Sequence, residues 1–225
     1  MLYQPPAFQE DRPEILHALI RAARLALLAS HGEAGLPDLT HLPLHLLTDT
    51  GDGPHGTLLG HVARANPHWR ALAPGGPAGG RAVAVFLGAE AYLSPNWYPS
   101  KAAHHRVVPT WNYEAVHAEG TIEIIEDPGR LHALVTQLTD AQEAARAAPD
   151  ATPWQVADAP AEFVAGQLRG IVGLALRIER LVGKRKLSQN RPAADRDGAA
   201  DALEASPDTR DRATAAAMRR AGEGA

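Results

Sequence analysis

Between Arg177 and Arg191 six positive side chains stand against one negative, in a chain whose net charge is −4. They are Arg177, Arg180, Lys184, Arg185, Lys186 and Arg191, against Glu179. Ser188, Gln189 and Asn190 add neutral hydrogen-bonding groups beside them. Fork-shaped guanidinium and point-charge ammonium donors in such a cluster suit a phosphate or another polyanion. The competing reading is a solvated surface turn. A second place for an anion lies at Ala63-Arg64-Ala65-Asn66-Pro67. There a strand feeds a short helix through Leu72, with Asn66 as cap and Pro67 at its first position. Unpaired N–H groups point outward at such a start, and Arg64 is placed to add donors.

Rings concentrate elsewhere. Tyr92 to Gly120 holds two of the four tryptophans, three of the four tyrosines and three of the eleven histidines. Large rings bring specific geometry, so this segment is either a site or interface, or a wedge fixing a long loop to the core. Lys101 follows Trp97-Tyr98-Pro99-Ser100 and is a cation–π or phosphate candidate. His61 and His117 fall in strands near these groups and are placed either to hydrogen-bond a ligand or to sit satisfied in the core.

Several chemistries are excluded. With no cysteine there is no disulfide, thiolate metal site or cysteine nucleophile. His41 and His45 are four apart, but Pro43 lies between them and breaks the helix that a metal pair needs. Ser94 and Ser188 sit in no nucleophile-elbow pattern, and no carboxylate pair suits hydrolysis. A chain without its own acid, base or nucleophile takes its chemistry from a cofactor. The negative total argues against a sequence-independent grip on DNA. No apolar run is long enough to span a bilayer, and the first residues lack the pattern of a secretion signal, so a cytoplasmic protein with no membrane partner is expected.

The elements that must position these groups follow from periodicity. Asp11-Arg12-Pro13-Glu14 starts a helix carrying Leu16, Leu19 and Ile20. Strands are expected over Leu25–Ser30, Asp38–Thr48 with an irregularity at Pro43, Thr57–Val62, Ala82–Leu87, Ala89–Leu93, Val107–Ala118, Thr121–Glu126 and Val172–Leu181. Gly88 and Glu119-Gly120 read as their turns, and Pro74–Gly80 as a flexible glycine-rich loop. Helices are expected after Asp127, Thr139 and Asp158. Strands in the middle with helices flanking them predict an α+β, mainly β, small barrel rather than a βαβ sheet, and no GxGxxG follows a strand. Residues 1–191 form the domain, and 192–225 a tail, helical around Ala213–Arg220 and mobile elsewhere.

The order of several motifs then carries a resemblance. HLPL (His41 to Leu44), GHVARANPHW (Gly60 to Trp69), VFLGAEAYLSPNWYPSK (Val85 to Lys101), VVPTWNYEAVHAEG (Val107 to Gly120), PWQVADAP (Pro153 to Pro160) and GKRKLSQNR (Gly183 to Arg191) resemble the PaiB-like, FMN-binding negative transcriptional regulators. The resemblance runs from Met1 to about Leu203. It implies the split β-barrel of pyridoxine-phosphate-oxidase-like flavoproteins, FMN as cofactor, and a homodimer with FMN at the subunit interface. By motif position it implies Arg64, Asn66, Lys101, Trp111, His117, Lys186, Ser188 and Gln189 as flavin or site residues. Two departures stand out. Arg185 occupies a position where an aromatic, commonly Trp, is expected, which removes a ring from the site. His104-His105 replace a smaller, less basic pair.

Three functions remain open at this point. The first is an FMN-binding dimer linked to transcriptional repression, with DNA as a partner implied by the family alone. The second is a flavin-dependent, NAD(P)H-linked oxidoreductase; the third, haem binding or degradation. Fold does not decide among them, because function lives in the site.

Overall fold

Two long strands, β7 (Thr110–Ile125) and β8 (Ile171–Lys186), carry Trp111, His117 and Lys186, while the other candidate groups stand on the short connections or, for Lys101, on a short helix. The computed structural model describes residues 2–32, 35–48, 53–76, 80–146, 148 and 151–223. In chain order the elements are β1 (Gln9–Glu10), α1 (Pro13–Ala22), β2 (Ala26–His31), β3 (Pro37–Leu42), β4 (His45–Leu47), β5 (Thr57–Ala63), α2 (His68–Leu72), β6 (Arg81–Leu93), α3 (Ser100–His104), β7 (Thr110–Ile125), α4 (Pro128–Ala144), α5 (Ala161–Leu168), β8 (Ile171–Lys186), α6 (Ala193–Glu204) and α7 (Thr209–Glu223). The eight strands form one sheet in the order β3-β2-β6-β7-β8-β5-β4, with β1 on β8. Pairs such as Leu58 with Leu176 and Leu28 with Thr40 are antiparallel.

The chain divides into two compact units. The first holds Met1–Ala23, Phe86–His117 and Val182–Ala225; the second holds Arg24–Val85 and Ala118–Leu181. The second unit carries β2 to β5. In β2 the alternation buries Ala26, Leu28 and Ser30, as a period of two requires. Pro43 ends β3, because a residue without an N–H cannot continue the ladder, and β4 begins two residues later. Leu131, Leu134 and Leu168 of α4 and α5 pack with Ile125 in a core of this unit.

Two expected turns are absent. Gly88 and Gly120 lie inside β6 and β7, which run unbroken. Each glycine answers a close approach. A Cβ at Gly120 would overlap the Arg177 carbonyl oxygen, and one at Gly88 would lie 2.9 Å from Glu114 Cβ. Sequence alone does not separate a turn glycine from one that lets a neighbouring strand in. The helix expected to start at Thr139 is part of α4, which continues to Ala144, and β8 extends five residues beyond the expected Leu181. The glycine-rich loop over 74–80 lies partly outside the described residues.

The tail is folded. In the first unit Ala199, Ala200 and Leu203 of α6 and Ala215, Ala217 and Met218 of α7 pack with Leu93, Tyr98 and Leu187. Alanine-rich composition reads as loose because it offers little apolar area per residue. Alanine is also the best helix former, and small side chains let two helices approach closely.

Candidate functional site

Strand alternation sorts the basic cluster onto two faces of β8. Lys184 and Lys186 share one face, and Arg185 points to the other. On neighbouring β7, Trp111 and Tyr113 share a face, while Asn112 and Glu114 are buried on the opposite one. Lys184 Nζ lies 5.1 Å from the Tyr113 ring centroid and 5.2 Å from that of Tyr3. Lys186 Nζ donates to Thr110 Oγ1 at 2.5 Å and to the Trp111 carbonyl. An ammonium has three N–H donors, so one remains. The Trp111 ring is 55% exposed and meets Tyr92 edge-on with centroids 6.0 Å apart.

The turn after β8 is held from within. Ser188 adopts φ 66°, a left-handed conformation unusual for a residue with a Cβ. It is buried, and its hydroxyl and the Asn112 amide bond each other at 3.1 and 3.2 Å. Gln189 Oε1 accepts from the Leu187 N–H at 2.8 Å, and its Nε2 donates to the Arg185 carbonyl at 2.6 Å. Both side chains therefore position the turn carrying Arg191, whose guanidinium lies 4.4 Å from the Tyr98 ring centroid.

Lys184, Lys186 and Arg191 form no ion pair among the described residues. Burial pushes the Lys186 ammonium below its ordinary pKa, and the charges of Lys184 and Arg191 push it further the same way. Lys184 and Arg191 thus each repel Lys186, an arrangement that an anion relieves, although the Asp195 carboxylate already feels the Arg191 charge.

Arg185 does something else. Its Nε donates to Glu114 Oε1 at 2.7 Å, and its Nη1 lies 3.4 Å from Glu10 Oε2. Glu10 also takes two bonds from the Arg12 guanidinium, at 2.8 and 2.7 Å. Burial raises the Glu10 carboxyl, but the Arg12 and Arg185 bonds together outweigh it and leave the pKa below its ordinary value. The residue standing at an expected aromatic position is thus one member of a buried ion cluster linking β1, β7 and β8.

The remaining candidates of this unit are more scattered. Lys101, on α3, donates to Asn96 Oδ1 at 2.5 Å. Its helix is tied to α6 by Ser100, whose N–H and Oγ donate to Asp195 at 3.0 and 2.6 Å. His104 and His105 are exposed. His117 is half-buried on β7.

Arg64 and Asn66 belong to the second unit. Arg64 donates from Nη1 to Glu126 at 2.6 Å, from Nε to the Arg169 carbonyl at 3.1 Å and from Nη2 to the Ile171 carbonyl at 3.2 Å. Two of its five N–H groups remain. Asn66 Oδ1 accepts from the His68 N–H at 3.0 Å and its Nδ2 donates to Thr40 Oγ1 at 3.2 Å, but α2 begins at His68 with Pro67 as its N-cap, one residue later than the sequence suggests.

The capped residue is itself informative. His68 is buried with Nε2 at 2.9 Å from Ser30 Oγ and Nδ1 at 2.8 Å from Thr40 Oγ1. A serine beside a histidine suggests a nucleophile, but a buried hydroxyl reaches no substrate, and the histidine clamps β2, β3 and α2. Burial lowers its pKa, with Asp38 partly opposing. The folded state therefore prefers the neutral ring. Its contribution is complete above the ordinary value of 6.5 and is lost as pH falls through the lower folded value. Urea unfolding at pH 7.5 and 5.5 should show the difference between His68→Phe and the parent shrinking at acid pH. At neutral pH the variant should lose about 1–3 kcal/mol, the cost of leaving the buried Ser30 hydroxyl unpaired.

Residues 2–180 match the family described as "Putative FMN-binding domain". The chain belongs to this family. It is 32% identical to protease synthase and sporulation protein PAI 2 of Bacillus subtilis over 194 residues, covering 86% of this chain and 85% of that protein. It is 31% identical to the uncharacterized protein AN0679 of Emericella nidulans over 227 residues, covering 90% of each. Among solved structures it is similar to the FAD and heme binding protein of Mycobacterium smegmatis, with a TM-score of 0.52 and 20% identity over 84% of this chain and 78% of that one. The fold is the split β-barrel with peripheral helices, and FMN is the family's cofactor.

The residues present fit that group. FMN joins a dianionic phosphate to a flat ring system. The first unit offers three clustered cations, a spare Lys186 N–H and an exposed indole beside them. Lys184 and Arg191 belong to the basic cluster legible in the sequence, and Tyr113 to the ring-rich segment; that Lys184 shares a face with Lys186 is legible only once β8 is carried past Leu181, and the sequence carries no signal that sets Tyr3 beside Lys184. Among the described residues no group of side chains suits a metal ion, and no helix is long and apolar enough to cross a membrane.

Proposed function

We propose that this chain is an FMN-binding homodimer of the negative transcriptional regulator type. The observation that carries the cofactor site is the basic group Lys184, Lys186 and Arg191 beside the exposed Trp111 ring. In this reading Lys186 gives its free N–H to the cofactor and Trp111 covers part of the ring. Lys101 and His117 are further contacts, and Ser188 and Gln189 fix the turn that presents the cations. Arg64 and Asn66 are retained as phosphate candidates, through the two N–H groups Arg64 keeps free. FMN, when bound, supplies reversible electron and hydride acceptance. The dimer is supported by the large apolar side chains this unit exposes, Leu87 at 66% and Val108 at 65% besides Trp111. A second copy covers such a surface and provides a flat ring system with a second wall.

The regulatory part rests on the name of the Bacillus subtilis relative, which refers to protease synthesis and sporulation. The C-terminal helices do not look like DNA readers. Arg219 is held by Asp197, Asp201 and Glu204, and Arg210 by Asp208. That favours a second reading, a flavin-dependent oxidoreductase, in which no DNA surface is needed.

Visible absorption after FMN loading and desalting tests the site, and light scattering on a sizing column tests the dimer. Retained flavin absorption and a mass twice that of the chain are expected. A band shift that ignores sequence and vanishes at moderate salt counts against repression. Anaerobic reduction of the loaded protein by NADH or NADPH, with turnover, selects the oxidoreductase.

A further inference from the structure

The second unit holds a cleft of about 810 Å³ that uses none of the cations discussed for the cofactor except Arg64. Its floor is apolar, built by Leu131 of α4, Val156, and Val164 and Leu168 of α5. Three of these four are buried, so the floor is a continuation of the unit's core rather than a solvated groove. Small residues, among them Ala161 and Ala165, keep the space between the two helices open. The volume lies in the range of small-molecule sites.

The rim decides the ligand's charge. Four ionisable side chains reach it: Arg64, Glu126, His132 and Arg169. Glu126 is already spent on Arg64 at 2.6 Å. The Arg169 guanidinium and the His132 ring have no hydrogen-bond or ion-pair partner among the described residues. An apolar floor under an unmatched guanidinium fits a molecule with an apolar body and one anionic end. A guanidinium engages a carboxylate through two parallel N–H bonds, which favours that anion.

The geometry points to a second ligand site, distinct from the Lys184, Lys186 and Arg191 group of the first unit, that takes a small organic monocarboxylate with an aliphatic or aryl body. Arg169 binds the carboxylate, His132 adds a donor, and the floor between α4 and α5 takes the body. A compound bound there bridges both helices and stabilises this unit.

The test is calorimetric titration of the FMN-loaded protein with sodium octanoate, sodium 4-phenylbutyrate and octanamide. Saturable binding of the acids is expected, with octanamide at least about tenfold weaker, since a charge-assisted bond is lost. Arg169→Gln should weaken the acids by about 10- to 100-fold, and Arg169→Lys should restore part of the loss. Ala165→Trp fills the cleft and should abolish binding while leaving FMN retention unchanged. Thermal unfolding of each variant identifies any that fail to fold, and the Arg169→Gln and Arg169→Lys pair then decides alone. Three results overturn the inference: no saturable binding at millimolar acid, octanamide binding as well as octanoate, or identical binding by Arg169→Gln. Repeating the titration without FMN separates the two sites. If FMN displaces octanoate, the cleft belongs to the cofactor and the second site does not exist. If FMN is not retained but the acids bind through Arg169, the cofactor assignment fails and this one stands.

Discussion

Replacing Arg185 by methionine should destabilise the protein by about 3–5 kcal/mol, the range seen when one partner of a buried ion cluster is removed. The side chain is 8% exposed and lies between Glu114 and Glu10, whose side chains are 4% and 6% exposed. Methionine fills similar space, so the loss is not a cavity. It is the cost of two buried carboxylates facing each other without the guanidinium that balanced them. Arg12 still reaches Glu10, at 2.7 Å from the more exposed side, but it makes no bond to Glu114. Denaturant unfolding of the parent and Arg185→Met measures the difference directly. A loss under about 1 kcal/mol would show that water already reaches the cluster, because a solvated ion pair is worth no more than that.

The pH dependence gives an independent check. The Glu10 carboxyl has a folded pKa below its ordinary 4.5, so its stabilising contribution is present above that value and disappears as pH falls through the lower folded one. A protonated carboxyl carries no charge for Arg185 to balance. The gap between parent and Arg185→Met should therefore narrow in acid. A second control is the triple variant Arg185→Met, Glu114→Leu, Glu10→Leu, which removes every charge together. It should recover much of the single variant's loss, since apolar packing commonly replaces a buried ion cluster at little cost. If the triple variant is worse than the single one, the cluster contributes something other than charge balance.

Arg185 also shows what was legible in the chain and what was not. As a member of a run, GKRKLSQNR, it adds to a positive sum, and as a departure from the family pattern it suggests a missing ring. Both readings treat the run as one surface. Strand geometry divides it, because neighbouring residues on β8 point to opposite faces. The partners that explain Arg185 are 71 and 175 residues away in sequence, and no local pattern connects Glu10 or Glu114 to it. Elements with a strong period are readable: α1 from its apolar stripe, the first part of β8 from its alternation, and the β5–α2 turn from Asn66 and Pro67. Glycines misled where their reason was a neighbouring strand. Gly88 and Gly120 resemble turn residues until β7 and β8 are placed beside them. The anion-site reading of Arg177 to Arg191 depends only on charge and neighbouring hydrogen-bonding types, which the sequence displays. Which of those cations share a face depended on where β8 ends, and periodicity stopped short of it at Leu181.

The cofactor site makes the second large prediction. Lys186→Met should weaken FMN binding by about 10- to 100-fold, the value of one charge-assisted hydrogen bond of about 1.5–3 kcal/mol. The lysine has one N–H left after Thr110 and Trp111, and its burial beside Lys184 and Arg191 makes an anionic partner more valuable than at an exposed site. Quenching of FMN fluorescence on titration gives the affinity. Comparing FMN with riboflavin locates the contact. If Lys186 meets the phosphate, the variant loses its preference for FMN but binds riboflavin as the parent does. If Lys186 meets the ring, both ligands weaken together. The parent's affinity should also fall on the alkaline side sooner than an ordinary lysine near 10.5 would cause, because the folded ammonium is held below that value and loses its proton earlier. In Lys186→Met that alkaline limb should be shallower. Unchanged affinity for both ligands, in a variant whose thermal unfolding matches the parent, would remove Lys186 from the site and with it the argument that places the cofactor at this end of β7 and β8.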